Sequence, residues 1–180
     1  ATLMMSQLVE WRRRIHQQPE LGFQEENTAA YAAAALEGMG YRVRRGVGRT
    51  GVVADRDGQE ALPPDRPIVA IRADMDALPI LEDSDAPYAS SIAGRMHACG
   101  HDAHTAMALG AAALLAQERF PGTVRILIQP SEEVDDDEGL SGAPRMIQDG
   151  AMEGVSRVLA LHVDPATPTG CRGPSPTSRT

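Results

Sequence analysis

The chain has 180 residues, with 25 acidic against 17 basic side chains and a formal charge of −8, a balance that argues against nucleic acid or an anionic membrane surface as the main partner. All 17 basic residues are arginine, which excludes lysine Schiff-base chemistry and a phosphate-loop lysine. No apolar stretch approaches the ~20 residues of a membrane span, no basic segment leads into an apolar run at the N-terminus, and two cysteines do not make a disulfide framework, so a reducing, cytoplasmic setting is expected.

In chain order, residues 6–18 read as an amphipathic helix, with Leu8, Trp11 and Ile15 at helical spacing and Pro19 following. Residues 24–39 read as a second, alanine-rich helix stopped by Gly38 and Gly40. Short strands are expected at 41–43 and 51–54, and a loop at 55–67, which carries Gly58, Pro63, Pro64 and Pro67. The β-branched run 68–71 reads as a buried strand. A helix is expected over 101–119, where the small residues 108–113 predict close packing. A strand at 124–128, a helix at 142–148 and a strand at 158–161 complete the pattern. Helices alternating with apolar strands predict an α/β fold, a three-layer αβα sandwich with a largely parallel mixed sheet. Length and composition predict one domain over 1–167. Residues 168–180, rich in Pro, Ser, Thr, Gly and Arg, read as an irregular or disordered tail.

The densest chemistry lies in Met96-His97-Ala98-Cys99-Gly100-His101-Asp102-Ala103-His104. It holds one thiol, three imidazoles and a carboxylate, the three protein ligand types for Zn²⁺ and similar divalent cations. A polar loop closing onto a helix, with Asp102 as its cap, would account for Asp102. It would not account for Cys99, His97, His101 and His104 together.

Three predicted strands also end in ionisable groups. The run 68–71 leads to Asp74 and Asp76, 124–128 to Glu132 and Glu133, and 158–161 to His162. Ligands of open α/β sheets bind outside the carboxyl ends of the strands, where all three sets can meet the 96–104 loop. Taken singly, each has a plainer reading. Asp74 and Asp76 could cap or turn, Glu132 and Glu133 could join the solvated acids Asp135, Asp136, Asp137 and Glu138, and His162 could be structural. Their coincidence with the Cys/His loop favours a metal site with hydrolytic chemistry, one carboxylate binding the ion and its neighbour moving the proton.

At these residues the sequence resembles the metal-dependent amidohydrolases of the aminoacylase and hippurate hydrolase group, which includes auxin-conjugate hydrolases, N-acetyldiaminopimelate deacetylases and related carboxypeptidases. The matching elements are His16-Gln17-Gln18-Pro19-Glu20-Leu21-Gly22-Phe23, Arg72-Ala73-Asp74-Met75-Asp76-Ala77-Leu78-Pro79, Met96 to Asp102, Gln129-Pro130-Ser131-Glu132-Glu133 and Leu161-His162-Val163. The resemblance implies two divalent ions, of zinc, manganese, cobalt or nickel, held by Cys99, His101, Glu133 and His162. It implies Glu132 as general base, with the reverse order of the two glutamates open. Asp74 falls on the group's catalytic aspartate, with Asp76 as the alternative. His97, Asp102 and His104, like Asp76, are expected to bind substrate or support the ligands.

The implied reaction is hydrolysis of the amide bond of an N-acyl amino acid or short peptide, with no nucleic acid or membrane partner and with an oligomer compatible. Members of the group are roughly twice this length and carry a lid domain and one further histidine ligand, both expected to be absent here. Residues 135–140 replace a glycine-rich loop. Two other readings follow: a metal-binding remnant that folds without turnover, and a purely structural domain with a buried Cys/His loop.

Overall fold

Helix α1 (Thr2–Gln17) presents Trp11 and Ile15 to the core, as its spacing predicts. Its Leu8 packs where Gly110 of α3 (His101–Leu115) carries no side chain. A Cβ at Gly110 would lie 2.5 Å from Leu8 Cδ2, which explains the small residues of that stretch. Helix α2 (Glu26–Gly38) starts later than its periodicity predicts because Glu20 caps it from outside. The Glu20 carboxylate accepts from the backbone N–H of Asn27 at 3.1 Å and of Thr28 at 2.7 Å, satisfying amides that have no partner within the helix. The structure is a computed structural model describing residues 2–60, 67–164, 166 and 167, without the side chains of Thr2 and Leu3. The expected tail at 168–180 and Cys171 lie outside the described residues.

Five strands, β1 (Arg42–Val47), β2 (Gly51–Asp57), β3 (Ile68–Asp74), β4 (Thr123–Gln129) and β5 (Val155–Ala160), form one sheet in the order β1-β2-β4-β3-β5. Strand β2 pairs antiparallel with β1 and β4, whereas β3 pairs parallel with β4 and β5, so β2 alone runs against the rest. Side chains of successive strand residues point to opposite faces. Val52, Ala54, Ile126 and Ile128, on one face, pack under α1, α2 and α3. Val53, Ala70 and Leu127 on the other meet Met146 of α4 (Gly142–Gln148) and Ala151. The result is three layers, as expected. Fully burying side chains such as Leu36, Leu109, Ile126 and Ile128 contributes about 1.5–3 kcal/mol each.

Several boundaries differ from the sequence reading: α1 begins at Thr2, β1 runs on to Val47, β2 continues to Asp57 into the expected loop, and β3 continues to Asp74. Helix α3 ends at Leu115 rather than Arg119, loosening into turns ahead of Pro121 and Gly122. Strand β5 begins three residues early because it runs beside β3 from Ile68 onward. As an edge strand it mixes Ser156 and Arg157 with exposed Val158 and Leu159, so hydrophobicity marks only its second half. No described helix is long and apolar enough to cross a membrane.

Candidate metal centre

Strand β3 carries Asp74 at its last position and delivers Asp76 two residues later, both with side chains almost wholly buried. Strand β4 ends at Gln129, beside Asp74 in register, and leads through Pro130 and Ser131 to Glu132 and Glu133. The third set arrives behind β5 with His162. Facing these ends, the 96–104 loop enters α3 through Gly100, whose φ of +90° is left-handed and whose missing Cβ leaves room for Val163 Cγ2, 2.4 Å from where it would stand. Only glycine suits that position.

The turn at Gly100 sorts the nine-residue cluster into separate jobs. Cys99 and His101 face the strand ends. Cys99 Sγ lies 3.4 Å from His162 Nε2, and one ligand atom from each of Cys99, His101 and His162 falls within 4.8 Å of the others. A second such group is His101, Glu132 and Glu133, with His101 Nε2 3.8 Å from Glu133 Oε1. His101 belongs to both.

Its ring is held from behind. His101 Nδ1 donates to Asp76 Oδ1 at 3.0 Å and to the Asp76 carbonyl at 2.9 Å. This leaves Nε2 buried, aimed into the site and without a hydrogen-bond partner. The other Asp76 oxygen accepts from the Glu133 backbone N–H at 3.0 Å. One carboxylate therefore fixes both the imidazole and the backbone of the acid loop.

Asp74 serves a different histidine. His104 Nδ1 donates to Asp74 Oδ1 at 2.6 Å, and His104 Nε2 accepts from the Val163 backbone N–H at 3.0 Å. Both nitrogens are committed, so His104 has no lone pair to give an ion although it lies close to Asp74 and His101. It ties the end of β3 to the residue after His162. The other Asp74 oxygen is paired to Arg72 Nη1 at 2.5 Å. His162 completes the arrangement: Nδ1 donates to the Val163 carbonyl at 2.7 Å, turning Nε2 toward Cys99.

His97 and Asp102 point away from this centre. Asp102 forms no helix cap, contrary to the plainer reading of its position. It accepts instead from His16 Nδ1 at 2.7 Å and Arg12 Nε at 2.8 Å, both on α1. His97 lies next to His16, ring centroids 6.2 Å apart, with both nitrogens buried and unpartnered. Burial drives its pKa down to about 4, so it is neutral at pH 7. The acids 135–138 are not uniformly solvated either: the Asp136 side chain is buried against Arg49 at 2.8 Å and Arg145 at 2.7 Å.

The electrostatics of the strand ends favour a cation. Burial, Glu133, Glu132 and Asp74 together push the Cys99 thiol up to about 12, since a thiolate there would face three carboxylates. Burial would lower the His101 pKa, but Asp76, Asp74 and Glu133 outweigh it and raise it. An orphaned Nε2, a thiol and carboxylates converging on one spot are a donor set of mixed S, N and O type, which suits Zn²⁺ and neighbouring transition ions. The residues present fit such an ion.

Sequence reasoning gave no role to His16, Arg12 or Glu82 around Asp102, or to Glu25 behind the acid loop. His16 and Glu20 did fall within a matching motif, which marked the segment but not its contacts.

The model of peptidase family M20/M25/M40 matches residues 70–177. A probable hydrolase of Synechocystis is 49% identical over 170 residues, spanning 93% of this chain and 41% of the relative. An N-acetyl-L-cysteine deacetylase of Bacillus subtilis is 43% identical over 169 residues, 93% of this chain and 38% of that protein. The crystal structure of the YXEP protein of Bacillus subtilis, described as a dinuclear metal-binding peptidase, superposes with a TM-score of 0.84 at 40% identity, covering 93% of this chain and 46% of that one. The chain thus spans about 40% of the length of the curated relatives it matches. With a match that covers more than half of its residues, the chain belongs to peptidase family M20/M25/M40.

Proposed function

We propose that the chain provides the metal-binding part of a hydrolase that cleaves the amide bond of N-acyl amino acids or short peptides. The observation that carries this reading is the His101 ring, fixed at Nδ1 by Asp76 with Nε2 left bare among Cys99, Glu133 and His162. Cys99, His101, Glu133 and His162 would hold divalent ions of zinc, manganese, cobalt or nickel, two in the full arrangement. A bound ion supplies Lewis-acid polarisation of the scissile carbonyl and of water. Glu132, exposed at the mouth of the site, takes a proton from the attacking water and returns it to the leaving nitrogen. Glu133 is the ligand of the pair because its backbone is pinned by Asp76 and its carboxylate faces His101.

For the aspartate that supports the ligands we favour Asp76 over Asp74. Asp76 touches His101 directly, whereas Asp74 acts through His104 and Val163. The name of the Bacillus subtilis deacetylase supports N-acyl amino acids as substrates. A second reading, one bound ion without turnover, is favoured by the four donors Cys99, His101, Glu133 and His162, which suffice for a single four-coordinate ion. Metal analysis of the purified chain, followed by a screen for hydrolysis of N-acetyl and N-benzoyl amino acids, tests both. Two ions and turnover support the first reading, one ion without turnover the second, and absence of metal overturns both.

A further inference from the structure

The acid loop owes its shape to a second buried carboxylate, outside the ligand set. Glu25 ends the segment that follows the matched motif at 16–23 and has no solvent exposure. Its Oε1 accepts from the Ser131 backbone N–H at 2.8 Å, and its Oε2 from Thr50 Oγ1 at 2.6 Å. Burial raises its pKa, while Thr50, the Ser131 amide and its own amide oppose the rise.

Ser131 needs such an anchor. Its φ of +40° lies in the left-handed region, which serine adopts at a cost and keeps only when its surroundings hold it there. Its other groups are also engaged: Oγ donates to the Val134 carbonyl at 2.7 Å, and its carbonyl accepts from Gly142 N–H at 2.8 Å. Gly22 presses on the same turn, where a Cβ would stand 2.4 Å from Ser131 Oγ and 2.5 Å from Val134 Cγ2. Glu25 and Asp76 thus grip the backbone two residues apart, at Ser131 and at Glu133.

We propose that Glu25 is a positioning residue: it holds Ser131 in its left-handed turn and so aims Glu132 and Glu133 at the centre formed by Cys99 and His101. This rests on the metal-site reading above for its consequence, but not for its geometry. A charge-assisted hydrogen bond from a buried amide is stronger than a neutral one, and losing it leaves that amide unsatisfied. Glutamine keeps an acceptor for Ser131 N–H and can donate to Thr50, so it should substitute; alanine should not.

The test uses the full chain twice. In metal-free protein, amide hydrogen exchange read by NMR should show Ser131 and Glu133 losing about tenfold protection in Glu25→Ala, with Glu25→Gln close to the parent chain. With Co²⁺ added, Glu25→Ala should bind about tenfold more weakly, the scale of losses among residues that support ligands, with altered visible absorption that Glu25→Gln restores. Unchanged Glu133 protection and an unchanged Co²⁺ spectrum in folded Glu25→Ala overturn the proposal. If that variant does not fold, Thr50→Val decides, since it loosens Glu25 without touching the loop: a smaller change in the same direction supports the proposal, and none overturns it. Failure of the parent chain to bind Co²⁺ would overturn the metal-site reading alone, leaving the exchange result to judge Glu25.

Discussion

Asp76 Oδ1 lies 3.0 Å from His101 Nδ1, and this contact decides which nitrogen of the imidazole is left for chemistry. A carboxylate behind a ligating histidine fixes the tautomer and strengthens the ligand. Burial alone would raise the Asp76 pKa, but His101 and the backbone amides of Glu133 and Glu132 outweigh it, so the group stays ionised.

Replacing Asp76 should therefore weaken metal binding without removing a ligand. Asp76→Ala is expected to lower Zn²⁺ or Co²⁺ affinity by about 10- to 100-fold, measured by competition with a chromophoric chelator. Asp74→Asn, which acts on His162 only through His104 and Val163, should cost less. Equal losses in the two variants would show that the support is not centred on Asp76.

Metal uptake should strengthen as pH rises. The metal-free thiol of Cys99 sits at about 12, so at neutral pH it holds a proton that an ion must displace, and the raised His101 pKa extends proton competition for that ring to higher pH. Each displaced proton makes apparent affinity grow about tenfold per pH unit, until the group would ionise unaided. Between pH 6 and 8, Cys99→Ala should bind more weakly with a slope shallower by one proton. An identical slope in that variant would show that the thiolate is not a ligand.

Much of this site was legible in the sequence, because residue types and strand ends are local properties. The 96–104 cluster, the carboxylates after β3 and β4, and His162 after β5 all occupy the region expected. What the sequence did not show is which way each side chain faces. Cys99 and His101 turn inward while His97 and Asp102 turn toward α1, and that split follows from a left-handed Gly100 packed on Val163, 63 residues away in the chain. Likewise Asp102 looked like a helix cap because its true partners, His16 and Arg12, lie 86 and 90 residues earlier. Local pattern names the donors; long-range packing assigns them.

The two neighbouring glutamates should separate cleanly. Glu132→Gln keeps the side-chain shape but cannot accept a proton, so any hydrolysis should fall by about 10²–10⁴ with metal content unchanged. Glu133→Gln should instead lower metal content, since its carboxylate lies 3.8 Å from His101 Nε2. Measuring kcat and bound metal side by side in both variants checks the assignment. If Glu132→Gln loses metal while Glu133→Gln keeps it, the roles are reversed.

The His16–Asp102 pair should leave its mark on stability rather than on metal. His16 Nδ1 lies 2.7 Å from Asp102 Oδ2 and its Nε2 3.3 Å from Glu82 Oε1, and only the doubly protonated ring can donate to both. The hydrogen bond to Asp102 is the largest cause of a raised His16 pKa, against the opposing effect of burial. For Asp102, burial would raise the pKa, but His16, His97 and Arg12 carry it below its usual value. A group whose pKa is raised on folding stabilises fully below its unfolded pKa, about 6.5 for histidine, and loses that contribution as pH climbs through the folded value. The depressed carboxyl behaves oppositely, contributing above about 3.9 and failing as pH falls through its lower folded value. The pair should thus contribute most between roughly pH 4 and 6.5, and metal-free protein should lose stability above that window. His16→Asn keeps a donor toward Asp102 but never carries charge, so its urea midpoint should change less between pH 6 and 9 than that of the parent chain. Parallel curves would show that the ring is already neutral in the folded protein.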